Sequence, residues 1–431
     1  MLREELYAAL CEVPAIDVHS HIHRDRPAAE APEEILLYHM LTYLLNSAGD
    51  PLAGAAGAGR ALTCEDFADR WPMIRHTGAG WMLETILADL YDWREAISRK
   101  TLPALRERLS DGAKRPDFAA EIFRKGRIER ILSSQTKLTP LAEGQTDYGI
   151  RRTVERTPGG GTVEFHGWAG RLRHWADRHF DRPVQTVDDL REISVRFYDS
   201  VDWPNRRALV AWVTSEMDFT PVSDAEVNEL LRRESAGEST GLAGRRILEA
   251  ANLRAICAAI RGRAKVFQFC YGTQYLTPGD GQGGMRAHPV QKAAPQFAQT
   301  FAHLLAEFPD IHFNLLNGFE NDEPIWASLT QGYPNLSLAG FWWQCVFPVG
   351  MHNAWARRLD MVPLNRLMGF FSDGRSADYV YGRLAMSRRV LANVLAERIE
   401  RGFLRRDDVP AIARELFFET PRKVFLPDET F

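Results

Sequence analysis

The sequence has few cysteines, and they form none of the motifs that cysteines usually build. Five of them are scattered along the 431 residues, and no two are spaced as C-x-x-C. This excludes a disulfide scaffold and a cysteine-based zinc cluster, and it indicates reduced thiols. The five are Cys11, Cys64, Cys257, Cys270 and Cys345.

Long apolar runs and an excess of positive charge are also missing. No stretch approaches the ~20 apolar residues that span a bilayer. Arg3, Glu4 and Glu5 interrupt the N-terminal segment, which lacks the apolar core of a signal peptide. The net charge of -4 gives no basic footprint for nucleic acid. We therefore expect a cytoplasmic protein that binds neither membranes nor nucleic acid, and the sequence is compatible with a homo-oligomer.

The sequence does have the composition of a large globular protein. It is 45% hydrophobic and 26% charged, without low-complexity tracts. At this length the chain can form a full α/β barrel with an insertion, or two ordinary domains.

Strand-like apolar runs alternate with helical periodicity over most of the chain. Repeated β-then-α units predict a parallel sheet, and eight such units close into a (β/α)8 TIM-type barrel. The predicted strands are Ala15 to Val18, Ile128 to Leu132, Thr162 to Phe165, Ala208 to Val213, Lys265 to Phe269, Ile311 to Leu316, Leu336 to Trp342 and Leu367 to Phe371.

Only helical periodicity follows the first predicted strand for about a hundred residues. We therefore predict that residues 27–126 form an inserted helical subdomain. The barrel then comprises residues 1–26 and 127–431.

Two histidines end the first predicted strand. In Asp17-Val18-His19-Ser20-His21 the two imidazoles are one residue apart, so on a strand they project to the same side. Such a pair is a typical ligand set for a divalent metal. The alternative is that both histidines only hydrogen-bond to the backbone.

A third ligand is predicted after the last strand. Active sites of α/β barrels lie at the C-terminal ends of the strands, and strands one and eight are neighbours in a closed barrel. Asp373, in Phe371-Ser372-Asp373-Gly374-Arg375, would therefore emerge beside His19 and His21. Arg375 could hold a carboxylate or phosphate through its guanidinium. The alternative makes Asp373 a helix cap or turn residue and Arg375 its surface partner.

A metal held by two histidines and an aspartate suits two reaction types. It can polarise a carbonyl or hydroxyl oxygen and lower the pKa of a bound water. An isomerase and a hydrolase could both use this. In isomerisation the base is Asp373 or the metal-bound water, and in hydrolysis that water attacks an acyl carbon while Asp373 takes its proton. The ligands alone do not separate the two.

These motifs resemble those of a known family. The D-x-H-x-H of the first strand, the late F-S-D-G-R-S and Ala339-Gly340-Phe341-Trp342-Trp343 are similar to the uronate isomerase (glucuronate isomerase) family of the amidohydrolase superfamily. The similarity covers most of the chain, is weak over residues 50–210, and is strongest after residue 310.

The resemblance implies an (α/β)8 barrel that interconverts an aldose uronate with its ketose form. One divalent metal ion is implied, and we take zinc as the first choice, with manganese, nickel or iron as alternatives. By the resemblance His19, His21 and Asp373 are the metal ligands. Asp373, His39 and Arg375 are the implied catalytic residues, and the implied substrate contacts are His39, Arg171, Trp343 and Arg375.

Several positions depart from the family pattern. Met40 stands where the family has a tyrosine, and Cys270 where it has a histidine. Residues 133–137 also differ from the family's motif after the second strand. We therefore expect an altered substrate wall, and a metal-dependent hydrolase of a lactone, ester or amide is the main alternative. A non-catalytic sugar-binding protein is the other.

Overall fold

Eight parallel strands form the central sheet of this protein. Their order is β1-β2-β3-β4-β5-β8-β9-β10, so the sheet follows the chain except where the small hairpin β6-β7 intervenes. The computed structural model describes residues 2–23, 26–49, 61–133, 147–152, 180–199, 206–213, 217–263, 266–275, 289–291, 295–342 and 347–428.

The strands lie close to their predicted positions, with one correction. They are β1 Ala15–Ser20, β2 Ile128–Ser133, β3 Asp147–Arg152, β4 Arg206–Trp212, β5 Val266–Tyr271, β6 Thr273–Tyr275, β7 Pro289–Gln291, β8 His312–Asn317, β9 Leu336–Ala339 and β10 Leu367–Met368.

The third strand of the sheet is the one that the prediction misplaced. Thr162 to Phe165 lies outside the described residues, and Asp147–Arg152 pairs with both β2 and β4 instead. Its sequence, Asp-Tyr-Gly-Ile-Arg-Arg, has no apolar run, so hydropathy could not identify it. The antiparallel pair β6-β7 was not predicted either.

Helices connect the strands and cover the sheet. Between residues 26 and 126 the described part of the chain contains helices and no strand, as the periodicity predicts. The helices are α1 Leu2–Cys11, α2 Pro32–Leu36, α3 His39–Ser47, α4 Cys64–Ile74, α5 Gly78–Tyr91, α6 Leu102–Ala113, α7 Phe118–Gly126, α8 Val187–Asp199, α9 Asp224–Ser235, α10 Gly241–Ile260, α11 Pro295–Glu307, α12 Glu323–Gly332, α13 Pro348–Met361, α14 Ala377–Glu400, α15 Val409–Arg414 and α16 Thr420–Phe425.

No helix in the described parts of the chain combines the length and the apolarity that crossing a membrane requires.

The two ends of the strand order are joined by backbone hydrogen bonds. The amides of Ser372 and Asp373, just after β10, donate to the carbonyl of His19 at 3.2 and 2.9 Å. The amide of His21 donates to the carbonyl of Gly374 at 2.7 Å. The segment after β10 therefore runs beside β1.

Side chains from both ends of the order also share one apolar cluster. Ile16 and Val18 of β1 belong to the same buried cluster as Met368 of β10. Strands β2, β4, β5, β8 and β9 contribute to it as well, and Phe425 of α16 packs against it. One face of the sheet thus packs on a small core, while the helices pack on a larger core at the other face.

A fully buried ion pair holds α12 against α13 below the end of β9. Arg358 donates to both carboxylate oxygens of Glu323, at 2.9 and 2.6 Å, and to the carbonyl of Gly340 at 2.9 Å. Both side chains are 0% exposed. Because three of its bonds are made inside the protein, the guanidinium is well satisfied, and it fixes the backbone that follows β9.

We predict that Arg358→Met destabilises the protein strongly. The substitution leaves the Glu323 carboxylate buried without its cation, which costs about 3–5 kcal/mol. The control is Arg398→Met, which breaks the more exposed pair of Arg398 with Asp360 and should cost under about 1 kcal/mol. Urea unfolding of both variants gives the comparison, and equal losses would contradict the role of the buried pair.

Candidate metal centre

Two histidines and an aspartate converge where β1 and the segment after β10 meet. Nε2 of His21 lies 2.8 Å from Oδ1 of Asp373, and Nε2 of His19 lies 3.8 Å from the same oxygen. One ligand atom from each of the three residues falls within 4.8 Å of the others. Within the described residues this is the one such cluster of three or more histidine, cysteine and acidic side chains.

This donor set fits a divalent ion. Two imidazole nitrogens and one carboxylate oxygen are ligands that zinc and its neighbours accept, and three protein ligands leave a position open for substrate. The prediction that His19, His21 and Asp373 come together is confirmed by the geometry. Their role as ligands is a proposal.

The local backbone explains how the three side chains meet. The pairing of β1 with β2 shifts register between Asp17 and Ser20, a bulge-like irregularity at the position of His19. Such irregularities re-aim side chains next to active sites. Asp373 has a left-handed backbone with φ of 51°, which aspartate tolerates better than most residues.

A buried carboxylate, Asp17, braces this junction. Its Oδ1 accepts the amides of Ser372 at 2.9 Å and His19 at 3.2 Å, and its Oδ2 accepts the Ser372 hydroxyl at 2.5 Å. Burial raises the pKa of Asp17 to about 7, although these three hydrogen bonds oppose the rise. Asp17 therefore ties the two chain segments that carry the candidate ligands.

The charge state of the cluster follows from its surroundings. Burial alone would raise the pKa of Asp373, but the adjacent His21 and His19 outweigh it and hold that pKa well below its usual range. Asp373 is therefore an ionised carboxylate at neutral pH, which is the form that binds metals.

A polar chain inside the sheet determines the tautomer of His19. The amide nitrogen of Gln268 lies 2.9 Å from the Val18 carbonyl, which can only accept, so Gln268 must present its oxygen to Nδ1 of His19 at 3.2 Å. Nδ1 of His19 then carries the proton, and its Nε2 keeps a lone pair toward Asp373.

The rest of this chain holds Gln268 in place. Its amide nitrogen also donates to Oδ1 of Asn314 at 3.1 Å, and Nδ2 of Asn314 donates to the Ser337 hydroxyl at 2.8 Å. That hydroxyl lies 2.8 Å from Nε2 of His312. Burial lowers the pKa of His312 to about 4, so its neutral ring can accept from Ser337. The hydrogen bonds thus run from β1 through β5 and β8 to β9.

His39 and Arg375 lie near Asp373, and their part in the site stays a prediction. Burial and the nearby Arg375 lower the pKa of His39 to about 3, while Asp373 opposes the shift. His39 is therefore a neutral imidazole at neutral pH. Arg375 is exposed and makes no ion pair within the described residues, so its guanidinium is available to an anionic ligand.

The remaining predicted site residues, Arg171 and Trp343, lie outside the described residues. Trp342 is buried in the small core at one face of the sheet. Cys270 is buried in the same core. Sequence reasoning missed the support from Asp17 and Gln268, although both stand in motifs that the resemblance includes.

In sequence and in structure, this chain is similar to uronate isomerases along its length. No protein-family model matches the chain. The uronate isomerase of Corynebacterium efficiens is 23% identical over 444 aligned positions, covering 96% of this chain and 93% of that protein. The crystal structure of a glucuronate isomerase from Caulobacter crescentus superposes with a TM-score of 0.78 at 16% identity, covering 100% of this chain and 95% of the other.

One less similar structure is that of a putative hydrolase rather than an isomerase. A putative metal-dependent hydrolase from Lactobacillus casei superposes with a TM-score of 0.56 at 14% identity, covering 98% of both chains. The predicted resemblance to the uronate isomerase family is confirmed by the full-length similarity, and the chain is a divergent relative of those enzymes.

We predict that the purified protein retains about one divalent ion per chain and that His19→Ala or Asp373→Ala abolishes retention. Each substitution removes one of the three candidate ligands found among the described residues. Elemental analysis after exhaustive dialysis measures the ion content. The control is His352→Ala, because His352 pairs with Glu397 on α13 and α14. Equal metal in all four proteins would rule the cluster out as the metal site.

A second prediction concerns the support of His19. Gln268→Leu removes the acceptor for Nδ1 of His19 and should weaken metal affinity about 10–100-fold. A chelator competition titration measures this, and Gln331→Leu is the control because Gln331 bonds only the surface carbonyl of Met361. If Gln268→Leu binds metal as tightly as the control, Gln268 does not support His19 as a metal ligand.

Proposed function

We propose that this protein is a metal-dependent aldose-ketose isomerase that acts on a uronate or a related acidic sugar, with glucuronate to fructuronate as the type reaction. The observation that carries the proposal is the junction of His19, His21 and Asp373 in a chain similar along its length to a uronate isomerase. The exposed cation of Arg375 beside this cluster suits an acidic substrate.

The architecture that we propose is a closed (β/α)8 barrel. The hydrogen bonds of His19 with Ser372 and Asp373 support closure between the first and last strands. We further propose that residues 27–126 form the inserted helical subdomain and that residues 1–26 and 127–431 form the barrel. A cytoplasmic location stays a prediction from the N-terminal sequence.

In the proposed reaction a proton moves from C2 of the sugar to C1 through an enediol. A divalent ion held by His19, His21 and Asp373, with zinc as the first choice, would stabilise negative charge on the sugar oxygens. Asp373 is ionised, so it can accept the C2 proton and return it to C1. The bond from C2 to hydrogen breaks and a bond from C1 to hydrogen forms, while the O2 hydroxyl proton is transferred to O1. The C1 aldehyde thus becomes an alcohol and C2 becomes a ketone, with no net change in oxidation.

The other residues orient the substrate. His39 is neutral, so one ring nitrogen can donate to a sugar oxygen and the other can accept from a hydroxyl. Arg375 would hold a negatively charged oxygen through its fork of N–H groups. The contacts expected of Arg171 and Trp343 stay predictions.

A metal-dependent hydrolase is the second candidate. The structural similarity to the Lactobacillus casei protein supports it, as do Met40 and Cys270 at positions where the uronate isomerase family has a tyrosine and a histidine. In this case Asp373 would take a proton from an attacking water. The metal ligands are the same for both candidates, so only the reaction distinguishes them.

The experiment that tests the function is incubation of metal-loaded protein with glucuronate, galacturonate and related sugar acids in D2O. If the protein is an isomerase, NMR should detect aldose-ketose conversion or exchange of the proton at C2. Asp373→Asn is the control and should show neither. Release of an acid from a lactone, ester or amide without C2 exchange would favour the hydrolase and contradict the isomerase.

A further prediction concerns Arg375. Arg375→Lys keeps the charge but loses the two-pronged geometry, so turnover should fall about 10-fold or more. Steady-state kinetics on the substrate identified above measure it. Arg366→Lys is the matched control because, in the part of the chain that the structure describes, the guanidinium of Arg366 donates a single hydrogen bond, to the neighbouring carbonyl of Asn365. Unchanged turnover for Arg375→Lys would make Arg375 a structural residue.

A further inference from the structure

A second guanidinium, that of Arg383, lies beside the metal centre with most of its hydrogen-bonding capacity unused. Arg383 is on α14 and is only 4% exposed. Its Nη2 donates to the thioether sulfur of Met40 at 2.5 Å, and its Nε and Nη1 have no partner. A thioether is a weak acceptor, so this buried cation is poorly compensated.

The contrast with Arg358 shows how unusual this is. Arg358 is equally inaccessible, but it makes two bonds to Glu323 and one to a carbonyl. Arg383 has no ion pair within the described residues. The carboxylates of Asp373 and Asp17 lie near enough to influence Arg383, but neither accepts a hydrogen bond from it, so its Nε and Nη1 keep donors for a further anion.

A second buried polar atom with spare hydrogen-bonding capacity lies nearby. The hydroxyl of Tyr38 has no partner in good hydrogen-bond geometry, although the backbone of Arg375 is near enough to lower its pKa, and the residue is 6% exposed. Its ring stacks on Tyr379, with ring centroids 3.5 Å apart, and Tyr379 is one helical turn before Arg383 on α14. Met40, two residues after Tyr38, contacts Arg383 itself.

The electrostatics agree with this placement. Burial raises the pKa of Tyr38 to about 12, and the charge of Arg383 is the largest influence opposing that rise. Tyr38 is therefore a neutral hydroxyl donor near a cation. The charge of Asp373 influences the pKa of both groups, so both lie near that carboxylate.

A small cavity borders Arg383. It is lined by Arg383, Phe371 and Ser387, among others, and Tyr38 is not one of its lining residues. The ring of Phe371 packs edge-on against His19, with centroids 6.1 Å apart. Phe371 therefore contacts both the cavity and one of the candidate metal ligands.

We propose that Arg383 and Tyr38 form an anion-binding subsite beside the metal centre, which takes the carboxylate of an acidic sugar. Nε and Nη1 of Arg383 donate to the carboxylate oxygens, and the Tyr38 hydroxyl adds a third donor. This inference rests on the proposed function in its choice of ligand. It makes Arg383 a candidate for the carboxylate contact expected of Arg171.

The test is calorimetric binding of D-gluconate to the metal-loaded protein, with D-glucitol as the neutral counterpart. The two compounds differ only by the carboxylate, and neither has a carbonyl group to isomerise. Gluconate binding is therefore measured independently of turnover, so failure of the isomerase assay and failure of the subsite are separate results.

The variants separate binding from structure. Tyr38→Phe keeps the stacked ring and should weaken gluconate about 10-fold, and Arg383→Met should weaken it about 100-fold or more. Metal content should not change in either. Arg389→Met is the control, because Arg389 lies on the same helix and pairs with Glu4. Arg171→Met tests the alternative that Arg171, and not Arg383, holds the carboxylate.

Preferential binding of gluconate that is lost in Arg383→Met, weakened in Tyr38→Phe and kept in Arg389→Met would support the subsite. Inorganic phosphate serves as a further probe, and binding of phosphate that also depends on Arg383 would support a general oxyanion site. Wild-type gluconate affinity in both Arg383→Met and Tyr38→Phe would overturn the inference. So would loss of gluconate binding in Arg171→Met alone. If Arg383→Met does not fold, Tyr38→Phe decides.

Discussion

The carboxylate of Asp17 is the interaction on which the rest of the site depends. It accepts hydrogen bonds from the amide and the hydroxyl of Ser372, and so joins the first strand to the segment that follows the last strand. His19 and Asp373 are more than 350 residues apart in the sequence, and they become neighbours only through this junction. The same aspartate also bonds the amide of His19. Together with the backbone hydrogen bonds between the two segments, this buried group places the candidate ligands beside one another.

The charges around the junction favour an acidic ligand. Asp373 supplies one negative charge, while Arg375 at the surface and Arg383 in the interior supply two positive ones. His39 is neutral, because burial and Arg375 lower its pKa to about 3. A metal cation would add to the positive excess. A neutral sugar would leave both guanidinium groups without a counter-charge, whereas a sugar acid would satisfy at least one.

The sequence predicts what depends on local pattern and on simple topology. Apolar runs locate the strands on either side of the ligands, and the convergence of strand ends brings His19, His21 and Asp373 together. The same reasoning fails at β3, Asp147–Arg152, because that strand carries no apolar run. The strand is defined by its pairing with β2 and β4, which no local pattern encodes.

The support of the site was also beyond prediction, since it depends on tertiary contacts. Gln268 bonds His19 from a strand about 250 residues away, and its orientation is determined by the carbonyl of Val18. Arg383 looks like one of many arginines in the sequence, and only its burial without an ion pair distinguishes it. Tyr38, in contrast, is adjacent in sequence to His39, a predicted site residue, and this position alone could have indicated that it lies near the site.

The most direct test of this account is X-ray absorption spectroscopy at the metal edge of the purified protein. Two imidazoles and a carboxylate predict a first shell of nitrogen and oxygen only, with multiple scattering from two histidine rings and metal–nitrogen distances of about 2.0–2.1 Å for zinc. In the Asp373→Ala variant this signal should disappear together with the metal. Sulfur in the first shell, or fewer than two imidazoles, would show that the metal binds elsewhere and would contradict the central claim.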